Sequence, residues 1–362
     1  MQPQRDLYID FLRFIGISLI ILAHVEAPSG ITQFRSFDVP LMVFVSGLSF
    51  STKGGGFWKY VWKRVKRLCI PVYLFLTILF TAVIGAGIVG LKNPWGWDQI
   101  AGTYLLLNEP SIGMLYDKEK DQTKVFSQNP DGSIGYVWII RVFLMMSIIA
   151  PPLYPLVAKM NMHKFILVLF LILGIQGLLV KSSNYIHIPA LATFYREYFL
   201  YVIGYSIPLM LGLRLKNATS QELRVTVYYA IFALIAGILV YELQTTGPIV
   251  ISPFYKYPPH GYFILYGACV SVILWAGKPL LQNIIMPGKT VISFIGANTM
   301  WIYLWHIPAI IVINRLLHPD YLWFARWVVM YAVAAGIYWI QYTSVNYLSR
   351  KYPNRTCWNY LK

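Results

Sequence analysis

Apolar segments about as long as a membrane is thick recur along the whole chain, and they constrain the fold more than any other feature. A bilayer core of about 30 Å needs roughly 20 apolar residues per helix. Candidate segments lie at 7–25, 37–51, 68–91, 136–158, 164–181, 197–213, 225–244, 261–280, 290–314 and 322–347. Because backbone groups in lipid must be hydrogen-bonded within the chain, helices are the expected form. The sequence therefore predicts an all-α integral membrane protein, a bundle of about ten transmembrane helices.

The composition agrees with a membrane protein. Of 362 residues, 57% are hydrophobic and 12% are charged, whereas soluble domains carry about 25% charged residues. A net charge of +16 would suggest nucleic acid as the partner of a soluble protein. Here the basic residues cluster between apolar segments, so we expect membrane lipids as partners and no nucleic acid. The three cysteines are widely spaced, and no metal site or disulfide framework is expected.

The distribution of basic residues predicts the orientation. Ten spans place both termini on one side. With the N-terminus inside, and with residues near segment ends counted in the adjacent loop, 18 of the 30 Lys and Arg residues fall on the cytoplasmic side, 10 on the outer side and two, Arg13 and Arg141, within spans. This bias favours N-in/C-in. The only long connection, at 92–135, is then an outer loop, and loops of this length are usually functional or disordered. We expect one transmembrane domain over 1–362, with no appended soluble domain.

The first apolar segment carries three polar side chains, Asp10, Arg13 and His24. Charges within a membrane are costly and count as functional candidates. On a continuous helix, His24 would lie within about 20° of Arg13 and about 16 Å above it. Asp10 would lie one turn below Arg13, where the two can pair. We predict that this face carries the reactive groups; the alternative is a helix-end ion pair with an interfacial histidine.

A basic cluster precedes the third apolar segment. It reads Lys59-Tyr-Val-Trp-Lys63-Arg64-Val-Lys66-Arg67 and is followed by Pro71. A helix would present Arg64 and Arg67 on one face, and guanidinium groups grip phosphate oxygens bidentately. The cluster is therefore either a binding site for a phosphate-rich ligand, with Lys63 contributing, or an ordinary positive-inside anchor.

Two further features lie in later segments. Trp138 and Arg141 begin the fourth segment, where Arg141 either lines a site or extends to interfacial water without a function. Tyr303, His306 and Pro308 lie in the ninth segment, and a proline there frees a carbonyl and often kinks the helix. His306 is either a binding residue or a polar contact between helices.

Taken together, these features resemble the acyltransferase 3 family of bacterial membrane acyltransferases. The family signature is an Arg, ten residues and a His in the first span, which appear here as Arg13 and His24, with Asp10 in the usual place. Further matching segments are Phe44-Val-Ser46-Gly47-Leu-Ser-Phe, the Arg64 and Arg67 pair, Gly135-Tyr-Val-Trp138, Pro151-Pro-Leu-Tyr-Pro, Tyr198-Phe-Leu-Tyr-Val-Ile-Gly204 and Tyr303-Leu-Trp-His306. The resemblance covers nearly the whole chain. Arg141 departs from it, since an apolar or small residue is expected there.

The resemblance implies a location and a reaction. The protein would lie in the bacterial inner membrane and move an acyl group from a cytoplasmic acyl-coenzyme A, usually acetyl-coenzyme A, to a sugar hydroxyl. The acceptor would be a cell-envelope or exported glycan, or its lipid-linked precursor. Arg64, Arg67 and Lys63 would hold the coenzyme A phosphates. Arg13 would lie between them and His24. The long outer loop and four substrate-binding residues, Trp138, Arg141, Tyr303 and His306, would face the acceptor.

The chemistry of acyl transfer assigns the central role to His24. Transfer to an alcohol needs a base for the hydroxyl proton and stabilisation of negative charge on the carbonyl oxygen. His24 is the best candidate base, because imidazole titrates near neutral pH. A covalent acyl-histidine intermediate is the alternative, and the sequence does not separate the two.

Two other classes of function fit part of the pattern. A secondary transporter or flippase for a polar or glycan substrate also has many spans, intramembrane charges and a proline-interrupted helix. Paired broken segments in two halves would indicate a transporter, and the sequence shows none. A catalytically silent scaffold is the third class. It would have no reason to bear the cost of three polar groups on one span.

Overall fold

Helices make up the secondary structure of the described part of the chain. The structure is a computed structural model, and it describes residues 6–51, 56–88, 97–106, 137–244, 256–316, 322–353 and 358–361. Helix accounts for 88% of it, and these residues contain no strand. The predicted all-α class is confirmed.

Sixteen α-helices follow one another within the described residues. They are α1 (Leu7–Leu22), α2 (Ser29–Phe34), α3 (Asp38–Leu48), α4 (Phe57–Ile88), α5 (Trp97–Tyr104), α6 (Trp138–Ala158), α7 (Met162–Ser182), α8 (Pro189–Phe194), α9 (Leu200–Leu215), α10 (Ser220–Gln244), α11 (Gly261–Ala276), α12 (Lys278–Ile285), α13 (Lys289–Ala297), α14 (Thr299–Leu316), α15 (Trp323–Lys351) and α16 (Trp358–Leu361). Three-residue 3₁₀ turns lie at Arg35–Phe37, Ser183–Tyr185 and Met286–Gly288, and a π-helical segment at Tyr195–Phe199 joins α8 to α9.

Six helices of the described chain are long and apolar enough to cross a membrane. They are Phe57–Gly85, Trp138–Ala158, Met162–Ser182, Leu191–Leu215, Ser220–Val240 and Trp323–Lys351. A seventh span results if α11 and the segment Lys278–Ala297, which is bent from it by 69°, count as one. Each of the ten predicted segments contains a helix, but the helices of the first two segments, α1 and α3, have only 16 and 11 residues. The count of ten and the N-in/C-in orientation therefore remain predictions.

Large apolar side chains on the spanning helices point outward. Leu178 on α7 is 70% exposed, and Phe232 on α10 is 69% exposed. Leaving such side chains in water would cost about 1.5–3 kcal/mol each relative to burial. Lipid is the solvent that suits this surface, and a multi-pass membrane protein follows.

The chain divides into two compact units. Unit 1 comprises residues 1–23, 27–53 and 145–297, and unit 2 comprises 24–26, 54–144 and 298–362. Helix α3 lies at the centre of unit 1, packed against α1, α9 and α11. A Cβ added at Gly212 would lie 2.1 Å from the carbonyl oxygen of Phe44, and one added at Gly47 would lie 2.5 Å from that of Leu209. The two glycines therefore let α3 and α9 cross backbone to backbone, as small residues do between membrane helices.

Helix α14 is the centre of unit 2. It packs against α15 and α4. The indole of Trp305 donates to Gln341 Oε1 at 2.6 Å, and the Gln341 amide donates to the carbonyl of Leu361 at 2.8 Å. At the start of α14, the Tyr338 hydroxyl donates to Asn298 Oδ1 at 2.8 Å. These polar contacts tie α14, α15 and α16 together, which suits helices in lipid because no water competes there.

Two predicted segments differ from the helices observed. The ninth segment, 290–314, is divided between α13 and α14, with Asn298 between them. The helix that contains the third segment, 68–91, begins well before residue 68, since α4 starts at Phe57. At about 1.5 Å per residue, the 32 residues of α4 exceed the thickness of a bilayer core. Its basic first turns therefore project beyond the hydrocarbon.

Candidate functional site

Asp10 and Arg13 form an ion pair on α1 in unit 1. Arg13 Nη1 lies 3.1 Å from Asp10 Oδ1, and Arg13 Nη2 donates to Ser49 Oγ at 2.8 Å. Asp10 is 1% exposed, whereas the side chain of Arg13 is 27% exposed. The pairing expected from their three-residue spacing is thus observed. Ser49, just after α3, is a partner that the sequence did not reveal.

The backbone at Asp10 is in close contact with α13. A Cβ added at Gly296 would lie 2.3 Å from the Asp10 carbonyl oxygen and 2.7 Å from its Cα. Only glycine fits such a distance without a shift of the helix. Gly296 therefore sets how closely α13 approaches α1 at the position of the buried carboxylate.

His24 does not lie on the helix that was predicted to carry it. Helix α1 ends at Leu22, Ala23 is its C-cap, and His24 lies in the turn that follows. The expected alignment of His24 above Arg13 assumed a continuous helix through residue 25, whereas the helix ends at Leu22, and the alignment itself stays a prediction. A turn positions a side chain through its own contacts, and His24 has such contacts within unit 2.

The imidazole of His24 lies beside that of His306 on α14. The ring centroids are 5.4 Å apart, with the planes inclined by 37°. His306 is fully buried; its Nδ1 is hydrogen-bonded to the carbonyl of Tyr303, and the Tyr303 ring lies 4.8 Å away. A carbonyl only accepts, so Nδ1 carries the hydrogen and Nε2 is the acceptor nitrogen of the neutral ring. The structure thus combines a half-buried imidazole with a second, buried one of defined tautomer.

The turn that carries His24 is held by a long-range ion pair. Arg326 Nη1 on α15 lies 3.0 Å from Glu26 Oε2, and the arginine side chain is 3% exposed. Glu26 has a φ of +46°, in the left-handed region that a residue with a Cβ adopts at a cost. The contact with Arg326 offsets that cost and fixes the backbone two residues after His24.

The basic cluster lies on the first turns of α4. Helical geometry places Arg64 and Arg67 on one face, as predicted. Arg64 Nε donates to the Tyr60 hydroxyl at 3.2 Å, and the guanidinium lies 5.2 Å from the centre of that ring. Arg67 and Lys63 are exposed. Tyr60 thus holds one guanidinium of the cluster in place, whereas Arg67 and Lys63 lie at the surface of the helix.

Trp138 and Arg141 begin α6, and both are buried. Trp138 is 4% exposed and Arg141 is 3% exposed. An arginine that extended to interfacial water would be more exposed than this. The burial of Arg141 therefore favours a role inside unit 2 over the interfacial alternative.

The structure brings some predicted residues together and adds others. Asp10 meets Arg13, and His24 meets His306 and Tyr303. Sequence reasoning missed Glu26, Arg326 and Ser49. For Arg326 a signal existed, since it is a charge within the predicted tenth segment, and charges in a span mark functional positions.

Residues 6–343 match the family model of acyltransferase 3, described as an acyltransferase domain. The chain belongs to the acyltransferase 3 family. No curated protein and no solved structure gives a significant match. Membership of the family supports an acyltransferase that uses an acyl donor and an acceptor, and the match includes every predicted site residue from Asp10 to His306.

Proposed function

We propose that this chain is an O-acyltransferase of the bacterial inner membrane. It moves an acetyl or other short acyl group from cytoplasmic acyl-coenzyme A to a hydroxyl of a cell-envelope or exported glycan, or of its lipid-linked precursor. The observation that carries the proposal is the pairing of His24 with the buried His306 in a chain that matches the family over 6–343. Two adjacent imidazoles are a suitable arrangement for moving a proton.

The donor is proposed to bind at the basic face of α4. Coenzyme A carries several phosphate groups, and Arg64 and Arg67 offer two guanidinium groups on one helical face. Tyr60 reduces the freedom of Arg64, which lowers the entropy lost when a phosphate binds. Lys63 adds a third, exposed cation. Asp10 and Arg13 form an ion pair on α1, which precedes the turn that bears His24, and they keep the roles that the family resemblance implies.

The reaction requires a base, and His24 is the proposed one. In direct transfer, His24 takes the proton of the acceptor hydroxyl, the oxygen attacks the thioester carbonyl, and coenzyme A leaves as a thiolate that is then protonated. In the two-step alternative, the imidazole nitrogen attacks the thioester carbonyl and expels coenzyme A as a thiolate. The acceptor hydroxyl then attacks the acyl-imidazole and loses its proton, and the imidazole leaves. In both, His306 positions the His24 ring. Trp138, Arg141 and Tyr303 are proposed to line the acceptor side, together with the outer loop 92–135, of which only residues 97–106 are described.

The test measures acetyl-coenzyme A binding and turnover by the purified protein. Wild type is expected to bind acetyl-coenzyme A and hydrolyse it slowly when no acceptor is present. Arg64→Ala/Arg67→Ala should lose binding, because two phosphate contacts are lost. His24→Ala should bind normally and turn over about 10²–10⁴-fold more slowly, the usual contribution of a general base.

A matched control removes two cations elsewhere. Arg350→Ala/Lys351→Ala alters two exposed basic residues at the end of α15, on the same predicted side, and should bind like wild type. Rapid quenching with mass spectrometry of the His24 peptide distinguishes the two routes, since only the two-step route leaves an acetyl group there. A folded His24→Ala protein with wild-type turnover would exclude the assignment. A folded wild type without affinity for any short acyl-coenzyme A would direct attention to transport assays.

A further inference from the structure

Unit 1 contains an apolar cavity between α7, α9, α10 and α11. Its volume is about 490 Å³, within the range of about 300–1,000 Å³ that is typical of ligand sites. Most of its lining is apolar and includes Leu169, Leu173, Ile207, Ala233 and Leu265. Two other lining residues, Phe170 and Tyr229, are also exposed at the surface of their helices. The cavity therefore opens on the lipid-facing surface and suits a hydrocarbon chain that enters from the side.

A polar pocket adjoins the apolar cavity where α7 and α10 begin. Its lining includes Lys159, His163, Arg214, Gln221 and Glu222. The Thr226 hydroxyl lies 3.4 Å from the Met162 sulfur, and His163 Nδ1 lies 3.2 Å from the Tyr229 hydroxyl. In each contact one residue lines the polar pocket and the other lines the cavity. One amphipathic ligand can therefore occupy both spaces.

The depth of the two spaces together matches one leaflet of a bilayer. On α7, Leu173 lies eleven residues beyond Met162, and on α10, Ala233 lies eleven residues beyond Glu222. Each interval corresponds to about 16 Å of helix, which is about half of a hydrocarbon core of roughly 30 Å. A ligand with its polar group in the pocket would thus extend from the interface to the middle of the membrane, as a phospholipid does.

The sequence around the polar pocket is strongly basic. The stretches 158–164 and 214–225 contain five Lys and Arg residues and one carboxylate, that of Glu222. In the predicted topology both stretches lie on the cytoplasmic side. Basic clusters in that position attract the acidic headgroups of the inner leaflet. The charge of the pocket therefore favours an anionic lipid over a neutral one.

Arg214 is the buried cation of the polar pocket. Its side chain is 10% exposed, and Nη2 donates to Glu222 Oε1. The other oxygen of Glu222 accepts from the Thr219 amide at 2.9 Å and from the Thr219 hydroxyl at 3.3 Å. Arg214 Nε is buried and has no hydrogen-bond partner among the described residues. A buried donor normally has an acceptor, and a phosphate oxygen in the pocket would supply one.

The other carboxylates of unit 1 lie away from the pocket or have cations of their own. Glu197 lies 17 residues before Arg214 in the helical segment that ends with α9, a rise of roughly 25 Å. Glu242 lies 20 residues beyond Glu222 on α10, a rise of roughly 30 Å. The remaining pairs are Asp6 with Lys278, Asp10 with Arg13, and Asp38 with Arg35 and Lys256. Glu222 is thus the carboxylate that an anionic headgroup would meet, and Arg214 already neutralises it.

We propose that this site binds one anionic phospholipid of the inner leaflet. The phosphate lies at Lys159, His163 and Arg214, and one acyl chain occupies the apolar cavity. The Tyr229 hydroxyl marks the boundary between headgroup and chain, a position that tyrosines favour in membranes. A lipid that binds only the folded protein stabilises it. None of these residues belongs to the proposed donor or acceptor sites, so the inference goes beyond the proposed function.

The experiment compares two lipids of equal chain length on the delipidated full-length protein. Native mass spectrometry in detergent measures the binding of phosphatidylglycerol and phosphatidylcholine, and thermal unfolding measures the stabilisation by each. Wild type should bind one phosphatidylglycerol about tenfold more tightly than phosphatidylcholine, because only the former carries a net negative charge. Glycerol 1-phosphate, a headgroup without a chain, should not compete.

Lys159→Gln/His163→Gln tests the polar pocket. Both side chains are exposed, so folding should be unaffected, and the preference for phosphatidylglycerol should fall about five- to tenfold. Arg214→Lys keeps a charge beside Glu222 but removes the guanidinium fork, and it should also weaken binding. Lys181→Gln removes an exposed cation near the other end of α7 and should bind like wild type.

Ala233→Phe tests the apolar cavity. The new ring occupies space that the acyl chain needs, so phosphatidylglycerol should bind more weakly and raise the melting temperature less. The melting temperature without lipid should not fall, because the cavity has room for the ring. Ala236→Phe alters the same helix outside the cavity lining and should leave lipid binding unchanged.

Four outcomes would overturn the site. Equal affinity of wild type for the two lipids would indicate ordinary surrounding lipid, without a specific site. An unchanged preference in Lys159→Gln/His163→Gln would reject the headgroup position, and unchanged binding in Ala233→Phe would reject the chain position. Displacement of phosphatidylglycerol by a polyprenyl phosphate would assign the site to a lipid-linked acceptor, and displacement by glycerol 1-phosphate would assign it to a free phosphate. Either displacement would reject the phospholipid.

Discussion

Unit 1 and unit 2 each contain an ion pair between a buried and a more exposed side chain, but the two pairs are built differently. In unit 1 the buried partner is the carboxylate of Asp10, and Arg13 is three residues away on the same helix. In unit 2 the buried partner is Arg326, and Glu26 lies 300 residues away. The N–O distances, 3.1 and 3.0 Å, are nearly equal.

The difference lies in what fixes the geometry. The backbone of α1 places Asp10 and Arg13 beside each other whether or not they are charged. Glu26 has no helix around it, and its φ of +46° is a conformation that persists only when surrounding contacts impose it. The pairing of Asp10 with Arg13 therefore follows from the helix that carries both residues. The pairing of Glu26 with Arg326, in contrast, fixes the backbone conformation of the turn at Glu26.

The largest effect on stability and activity is expected at the Glu26–Arg326 pair, which fixes the backbone of the turn that carries His24. Glu26→Gln removes the charge of the carboxylate that contacts the buried guanidinium of Arg326, which should lower the free energy of unfolding by about 3 kcal/mol. It also releases the turn that carries His24, so acyl transfer should fall about 10- to 100-fold, because the proposed base would be misplaced. Thermal unfolding in detergent and acetyl-coenzyme A hydrolysis measure the two effects.

Arg326→Gln is the companion variant. It leaves Glu26, which is 47% exposed, in contact with water, so its cost in stability should be smaller. Activity should fall as far as in Glu26→Gln, because the turn is released in both. If Arg326→Gln lost stability but kept full turnover, the ion pair would be structural and would not position His24.

A smaller effect is expected when packing around the unit 1 pair is changed. In Gly296→Ala the new methyl group meets the Asp10 backbone, and α13 must shift away from α1. The expected loss is about 2 kcal/mol in the free energy of unfolding, within the range for overpacking. Gly336→Ala on α15 is the matched control, since a Cβ there meets nothing within 4 Å. That variant should be unchanged or stabilised by about 0.4–1 kcal/mol.

The outcome for Gly296→Ala decides whether packing matters to the unit 1 pair. Acetyl-coenzyme A binding and turnover should decline along with stability if the position of Asp10 depends on α13. Equal melting temperatures for Gly296→Ala and wild type would show that α13 can move at no cost. The close approach of the two helices would then be irrelevant to the carboxylate.

The same contrast explains how far the sequence predicts the molecule. The pairing of Asp10 with Arg13 follows from their spacing of three residues and the geometry of a helix, so the sequence predicts it. The contact of His24 with His306 depends on how α14 packs, and no local pattern encodes it. The contact of Ser49 with Arg13 was likewise not predictable, although the segment that contains Ser49 resembles the family.

The helices themselves were predictable, but their ends and their status as spans were not. Apolar runs identify helices, because lipid leaves few alternatives. Helix α1 ends at Leu22, before His24, and the apolar run that continues through residue 25 does not mark that end. Helices α1 and α3 are too short to count as spans by length, although their sequences are apolar. Helix length and composition together therefore give six or seven spans, where the apolar segments of the sequence suggest ten.

The smallest effect is expected at Ser49, which contacts Arg13 of the unit 1 ion pair. Ser49→Ala removes the hydroxyl that accepts from Arg13 Nη2 and leaves the contact with Asp10 in place. Because Arg13 is partly exposed, water can replace the lost acceptor, and the cost should be about 1 kcal/mol. Ser49→Thr keeps a hydroxyl and should recover most of it. Thr343→Ala, which removes an exposed hydroxyl bonded only to its own helix, should change the melting temperature little. A loss in Ser49→Ala as large as that in Glu26→Gln would contradict the comparison, because it would mean that helix geometry alone does not hold Arg13.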